Sequence, residues 1–307
     1  EALPGLAKEK QYISTLEDLI MYSKGYRLIR DRNQPGMPRQ YSIVGKTGET
    51  ITSLSGTADI VKYDFGYEID PVWEAGNKNI PGIYIEFKEP WLNPKGFEQI
   101  VYDVLANTQD MNIIEKPEPE DTPFYINNGT INVGNTNGKV ILQTFSLESL
   151  VRVAEVFQGK VPMCFLLWKG TGATDLTYDD PLGYASFINL GVKYKAHFIG
   201  PCIAGAPNDY PELDQPWQDY LIHRAKMKNH PYTFNTYDQM AKYFGQYNFG
   251  VEIDGKYKAP YLDALFTNHS DMSINYMITH GWRKSPASQT LVDAREVLRK
   301  LGYLDNN

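Results

Sequence analysis

Two charged side chains interrupt an otherwise apolar stretch, "GIYIEFKEPW", at residues 82–91. The run of isoleucine and aromatic residues predicts a buried β-strand, in which side chains alternate between the two faces. Glu86 and Lys88 therefore share one face with Tyr84, and the isoleucines occupy the other. If the isoleucine face packs against helices, the two charges lie at the carboxyl end of the strand. That is the end at which β/α enzymes assemble active sites.

The two residue types suggest a specific kind of chemistry. A carboxylate such as that of Glu86 can bind a divalent cation. An ammonium two positions further on, at Lys88, can neutralise a phosphate or another anion beside that cation. The alternative is a purely structural Glu–Lys ion pair on an edge strand. Spacing alone leaves both interpretations open.

The elements around this strand follow an alternating pattern from residue 82 onward. Apolar runs predict strands at 82–88, 139–145, 161–168, 196–205, 230–235 and 262–268. Helical periodicity between them predicts helices at 95–107, 146–158, 217–229 and 237–244. Such alternation is typical of βαβ units with a parallel sheet. Six strands of this kind fit either a doubly wound sheet or a β/α barrel.

Three other segments lie outside this alternation. A helix is predicted from Ser14 to Lys24, and a polar, glycine-rich excursion follows at about 27–79. A second excursion, at about 115–138, is predicted to be a surface loop or a hairpin. An amphipathic helix is predicted at 287–301.

Bulk composition excludes several function classes. The 307 residues carry a formal net charge of −7, which disfavours non-specific nucleic-acid binding. No apolar run approaches the length of a membrane span, so no transmembrane segment is expected. Cys164 and Cys202 both fall in apolar runs, which predicts two buried thiols. A disulfide between neighbouring strands is the alternative.

Several motifs in chain order resemble the glycerophosphodiester phosphodiesterases, in particular the larger periplasmic type. "IYIEFKEPW" is similar to the third-strand motif of that family, and "VILQTFSLESL" to its fourth strand and following helix. "HFIGPCI", "HPYTFNT" and "DALFTNHSDM" are similar to the elements of strands six, seven and eight. "YISTLEDLI" resembles the helix that precedes strand three. The matched elements span Tyr12 to Met272.

This resemblance implies a fold and a reaction. The fold would be a TIM-like β/α barrel of the phospholipase-C-like phosphodiesterase type, one domain over 1–307 with long inserted loops. The reaction would be hydrolysis of glycerophosphodiesters to glycerol 3-phosphate and an alcohol, with Ca²⁺ or Mg²⁺ as cofactor. The resemblance makes Glu86 a metal ligand and Lys88 the catalytic lysine beside the phosphate. It makes Phe145, Tyr232 and Asn235 substrate-binding residues, and Gln143 a further fourth-strand position.

The chain departs from the family before strand three. The family's "HRG", "E-x-D" and "HD" elements, which carry two metal ligands and two catalytic histidines, do not precede Tyr12. "HRA" at 223–225 falls in a helical pattern, and "EID" occurs at 68–70 and 252–254. We therefore expect the first two barrel strands to come from elsewhere, for example from a separate N-terminal chain. By analogy with periplasmic relatives, we expect a secreted or periplasmic protein.

Two other functions fit the same residues. The chain can be a catalytically inactive barrel retained as a binding or structural partner. It can also be a related phospholipase D that acts on sphingomyelin or lysophospholipid.

Overall fold

The computed structural model describes residues 14–29, 41–44, 50–51, 60–63, 66–69, 81–115, 124–127, 130–133, 136, 139–168, 180–247, 251–253, 257–259 and 262–283. The chain divides into two compact units, one comprising Glu1–Pro81 with Pro286–Asn307 and the other comprising Gly82–Ser285. The prediction of one barrel domain over 1–307 stays a prediction.

The first unit contains a helix and short antiparallel strands. Its elements are α1 Leu16–Ser23, β1 Tyr26–Ile29, β2 Tyr41–Val44, β3 Thr50–Ile51, β4 Ile60–Tyr63 and β5 Gly66–Ile69. Helix α1 begins at a capping box, in which the Thr15 hydroxyl accepts from the Asp18 backbone N–H and the Asp18 carboxylate accepts from that of Thr15. Strand β1 pairs with β5, and β2 lies between β3 and β4. The excursion predicted at 27–79 therefore contains ordered strands.

The second unit is a mixed α/β structure. Its strands are β6 Ile83–Phe87, β7 Phe124–Asn127, β8 Thr130–Val133, β9 Val140–Thr144, β10 Met163–Leu167, β11 Phe198–Pro201, β12 Lys228–Asn229, β13 Val251–Ile253 and β14 Tyr257–Ala259. Its α-helices are α2 Phe97–Asn107, α3 Leu147–Phe157, α4 Pro181–Lys193, α5 Pro216–Arg224, α6 Tyr237–Met240 and α7 Ser270–Thr279. Short 3₁₀ turns lie at Pro90–Leu92 and Thr108–Asp110, and a π-helical turn at Ala241–Gln246 continues α6.

A five-stranded parallel sheet organises this unit. Its order is β6-β9-β10-β11-β12. The order of the strands in the sheet is therefore the same as their order in the chain. A further segment, 262–266, continues the series beside β12. Its Asp263 N–H donates to the Asn229 carbonyl and its Phe266 N–H to that of Pro231, while the Phe266 carbonyl accepts from Phe234. The predicted α/β class with a parallel sheet is confirmed.

The sheet is strongly curved. In a flat sheet, four strand spacings of about 4.8 Å would place β6 about 19 Å from β12. The Tyr84 hydroxyl on β6 nevertheless lies 3.0 Å from Nδ1 of His230, which follows β12. The Tyr84 and Phe266 rings lie 4.8 Å apart between centroids. Because these contacts join opposite edges of the sheet, its concave face encloses an interior.

Apolar side chains fill that interior. Cys164, Leu166 and Phe198 are buried there, and rings from the other segments pack against them. Gly200 is needed for this close approach, because a Cβ at that position would lie 2.6 Å from Cδ2 of Leu166 and 2.9 Å from Sγ of Cys164. The predicted buried thiols are confirmed, since Cys164 and Cys202 are both buried and unbridged.

Closure of the sheet into a barrel stays a prediction. Within the part of the chain that the structure describes, no backbone hydrogen bond joins segment 262–266 to β6. The described strands thus form an arc.

Several local predictions can be compared with the structure. The excursion at 115–138 contains a hairpin, because β7 pairs antiparallel with β8. Ser146 caps α3 as expected, with its hydroxyl accepting from the Ser149 N–H. The helix predicted at 217–229 was too long, because α5 ends at Arg224 and Lys226 has a φ of 60° in the left-handed region. The helix predicted at 287–301 lies outside the described residues.

Candidate functional site

A cavity of about 330 Å³ lies at the carboxyl ends of the parallel strands and is called the mouth cavity below. Its polar wall is formed by Glu86, Gln143, Thr233, Thr267 and Asn268. Its apolar wall is formed by Phe145, Leu166, Tyr210, Tyr232 and Phe266. These residues lie on β6, β9 and β10 or follow β9, β11, β12 and segment 262–266. In α/β folds this end of the sheet is where ligands bind.

Glu86 reaches the mouth cavity by the alternation expected from the sequence. It lies opposite Gln143 in the parallel register of β6 and β9. The carboxylate Oε1 of Glu86 is 2.7 Å from Nζ of Lys88. The Glu86 side chain is 21% exposed, whereas that of Lys88 is 71% exposed. The ion pair that was one of the two predicted alternatives is therefore present, and its carboxylate also lines a cavity.

The predicted substrate-binding residues divide into two groups. Phe145 and Tyr232 both line the mouth cavity, and their rings meet edge to face at 5.6 Å between centroids. Asn235 does not line it. The Asn235 side-chain amide instead donates to Oδ1 of Asn208, whose own amide donates to the Thr233 carbonyl at 2.7 Å. Asn235 thus helps to hold together two loops that follow β11 and β12.

Gln143 offers an acceptor that the described residues do not use. No described group donates a hydrogen bond to its buried Oε1. Because Gln143 stands beside Glu86 on the cavity wall, a ligand with a donor or a positive charge can satisfy this atom.

The described residues do not supply a complete metal site. Ca²⁺ takes six to eight oxygen ligands, and catalytic Mg²⁺ sites use carboxylates together with substrate oxygens and waters. In the described ranges, no group of three or more His, Cys, Asp or Glu side chains is arranged to hold a metal ion. Glu86 and Gln143 present two adjacent oxygens, and Glu86 is the one carboxylate among the residues that line the cavity.

The histidines of the described ranges do not line the mouth cavity. His230 lies deeper in the interior, where its ring stacks on Phe198 at 3.9 Å and burial lowers its pKa to about 4. Nδ1 of His197 accepts a hydrogen bond from the Met163 N–H. His269 is exposed at the start of α7. Neutral His230 therefore packs the layer beneath the cavity.

A second group of ionisable residues lies between α5, β12 and segment 262–266. We call it the α5–β12 cluster, and it comprises Asp214, Asp219, His223, Lys228, Asn229 and Asp263. His223 lies between two carboxylates, with Nδ1 3.0 Å from Asp219 and Nε2 3.0 Å from Asp263. The "HRA" at 223–225, which is similar to the "HRG" of the family, thus lies at the carboxyl end of α5. Its histidine belongs to this cluster.

Charges in this cluster are strongly perturbed. Burial opposes the charge on His223, but the carboxylates of Asp219 and Asp263 outweigh it and raise the pKa of His223 to about 10. Burial raises the pKa of Asp219 to about 6 and that of Asp214 well above its usual range. Lys228 and the Asn229 N–H both bind Asp263, at 2.9 and 2.8 Å. Protein groups therefore neutralise and hold these carboxylates.

Sequence reasoning missed part of the cavity wall. Leu166 and Phe266 follow the alternation of their apolar runs, so the carboxyl-end rule could have found them. Thr233, Thr267 and Asn268 directly follow Tyr232 and Phe266 and could have been found in the same way. Tyr210 lies in an irregular loop after β11, where no periodic pattern indicates its direction.

Comparison with known proteins identifies no family for this chain. No protein-family model matches it, and no curated protein is significantly similar to it. In the part of the chain that the structure describes, no helix has the length and hydrophobicity required to cross a membrane.

Proposed function

We propose that the chain carries the substrate pocket of a phosphodiester hydrolase that cleaves glycerophosphodiesters to glycerol 3-phosphate and an alcohol. One observation supports this most directly. Glu86, with Lys88 beside it, lines a cavity at the carboxyl ends of successive parallel strands. A carboxylate and an ammonium at such a position suit a cation and a phosphate, respectively.

The proposal includes a closed TIM-like barrel. The unbroken strand order and the contacts of Tyr84 across the interior support this winding, because a doubly wound sheet reverses its order at a switch point. The six adjacent segments are two short of the eight strands of such a barrel, and a separate N-terminal chain could supply the other two. The proposal also includes Ca²⁺ or Mg²⁺ with Glu86 among its ligands, and a secreted or periplasmic location.

Each proposed site residue has a defined role. Glu86 would be a ligand of the divalent cation that binds together with the substrate. Lys88, whose side chain is largely exposed, would turn toward the phosphate and offset its charge. Phe145 and Tyr232 would pack against the organic part of the substrate. Asn235 would act through the loops that it joins.

Hydrolysis of glycerophosphocholine tests this proposal. Release of glycerol 3-phosphate is measured with added Ca²⁺ or Mg²⁺ and with EDTA, on the intact protein with any chain that copurifies with it. We expect metal-dependent turnover that Glu86→Gln abolishes. Glu89→Gln is the matched control, because Glu89 is exposed and does not line the cavity. Full activity of Glu86→Gln would reject the assignment.

A non-catalytic binding role is the second candidate. The observation that favours it is the Glu86–Lys88 ion pair, which places an ammonium of the protein itself 2.7 Å from the carboxylate. This candidate predicts no turnover of glycerophosphocholine, sphingomyelin or lysophosphatidylcholine under any metal condition. Turnover of either of the last two lipids alone would instead indicate a phospholipase D activity.

A further inference from the structure

The mouth cavity has an aromatic wall assembled from four separate segments. Phe145, Tyr210, Tyr232 and Phe266 each contribute a ring. Tyr232 is at the centre, with its ring inclined at 88° to Phe145 and at 63° to Tyr210. Rings that meet at steep angles form the walls of a box, and they present π-surfaces or edges to its contents from different directions.

The charge of the cavity has one sign. Among its lining residues, Glu86 alone carries a formal charge at neutral pH. The ammonium of Lys88 pairs with that carboxylate, but Lys88 is not part of the lining, and its side chain is 71% exposed. Because the Lys88 side chain is largely exposed, its ammonium can move into solvent when another cation arrives.

Glu86 supplies the one carboxylate among the lining residues, and the other polar side chains on the wall are neutral. The Tyr232 hydroxyl already donates to the Leu167 carbonyl at 3.0 Å, so its ring is the part that remains for a ligand. A hard metal ion requires several oxygens, whereas a quaternary ammonium group requires aromatic rings and a carboxylate. The second requirement matches what the described residues offer.

We propose that the mouth cavity binds a quaternary ammonium group, such as that of choline, between its aromatic rings and Glu86. Attraction between a cation and aromatic rings is strengthened where the rings surround the cation and displace water from it. The inference goes beyond hydrolysis, because it concerns binding at equilibrium and holds whether or not the cavity is catalytic. The ammonium group would compete for Glu86 with the divalent cation of the proposed hydrolase.

Calorimetric titration of the full chain with choline chloride tests the proposal. The comparison ligand is 3,3-dimethylbutan-1-ol, which has the shape of choline without its charge. Both titrations are done in EDTA, so that no metal contributes. We expect choline to bind at least about 10-fold more tightly than the uncharged analogue. Equal affinities, or no binding of choline, would overturn the proposal.

Variants of Tyr232 test whether its aromatic ring binds choline. Tyr232→Phe keeps the ring and should bind choline about as well as the unaltered chain. Tyr232→Leu should weaken binding about 10-fold. Tyr220→Leu is the matched control, because Tyr220 is 47% exposed on α5 and lies outside the cavity. If Tyr232→Phe lost as much affinity as Tyr232→Leu, the ring would not be the binding element.

Lys88 provides a test in which no packed residue is changed, because its side chain is largely exposed. Lys88→Met removes the cation that competes for Glu86, at an exposed position where folding is insensitive to substitution. Choline affinity should rise, by about 3-fold. Reduced affinity would contradict the proposed competition.

The outcomes separate this inference from the proposed hydrolysis. Choline binding without turnover of glycerophosphocholine would support the ammonium site and reject the hydrolase. Turnover of glycerophosphocholine with no preference for choline over its uncharged analogue would do the reverse. Lys88→Met sharpens the separation, because the hydrolase predicts lower turnover while the ammonium site predicts tighter choline binding.

Discussion

The mouth cavity and the α5–β12 cluster both contain carboxylates, but the surroundings of the carboxylates differ. Glu86 lines an open space, and Lys88, with which it forms an ion pair, is largely exposed. Asp219 and Asp263 are buried, and the imidazole of His223 lies between them. Asn229 also donates to Asp219 and, through its backbone, to Asp263. The first arrangement leaves a charge for a ligand, and the second uses its charges to join elements of the fold.

This difference shows why perturbed ionisation is an incomplete guide to function. Strongly shifted pKa values cluster at active sites, but structural networks shift them as well. Here buried carboxyl groups with raised pKa values, such as Asp214 and Asp219, belong to the α5–β12 cluster, which joins α5 to the strand end and to segment 262–266. The decisive property is whether a cavity opens onto the charged group. The mouth cavity opens onto Glu86, so the candidate site is at Glu86.

Removing His223, the cation at the centre of the α5–β12 cluster, should lower the stability more than any other substitution predicted for the two regions. His223→Ala leaves Asp219 and Asp263 buried without the group between them. We expect the free energy of unfolding to fall by about 3–5 kcal/mol, as for other broken buried ion pairs. Urea unfolding followed by circular dichroism measures this.

The control for that variant is His269→Ala, since His269 is exposed at the start of α7. Its stability should stay within about 0.5 kcal/mol of the unaltered chain. Equal effects of the two substitutions would mean that the α5–β12 cluster does not stabilise the fold.

The pH dependence of stability should report the same cluster with a smaller effect. The pKa of His223 is raised from 6.5 to about 10 in the folded state. Its contribution is therefore complete well below pH 6.5 and is lost as the pH rises toward 10, by up to about 4 kcal/mol between pH 6.5 and pH 10. Asp219 and Asp263 face this histidine, and Lys228 pairs with Asp263.

Urea unfolding at pH 6.5 and pH 10 measures this loss, and His223→Gln should reduce it. His230 does not interfere, because its pKa is lowered to about 4 and its contribution changes between pH 4 and 6.5. Unchanged pH dependence in His223→Gln would show that other groups are responsible.

The two regions were not equally accessible from the sequence. Alternation along β6 was sufficient to place Glu86 and Lys88 at the carboxyl end of a strand, because a period of two is a local property. The α5–β12 cluster depends on partners far apart in the chain, such as His223 and Asp263, which are separated by 40 positions. No local pattern encodes such a pairing.

Helix α4 shows a different limit. Two glycines, Gly183 and Gly191, lie within Pro181–Lys193 and disfavour a helix on propensity alone. Packing of Tyr184 and Phe187 in the core overrides that propensity. Asp180 caps the helix with bonds to the Leu182 and Gly183 N–H groups, ahead of a proline at the first position. That cap was the available sequence signal.

The smallest expected effect comes from a matched pair of substitutions, one in each region. Glu86→Gln removes a charge whose partner is 71% exposed, and such pairs contribute below about 1 kcal/mol. Asp263→Asn removes a charge that binds both His223 and Lys228, and it should cost at least about 2 kcal/mol. Urea unfolding of both variants under one condition gives the contrast. If Glu86→Gln cost as much as Asp263→Asn, the Glu86–Lys88 pair would be a structural element, and the mouth cavity would lose the charge on which its proposed ligands depend.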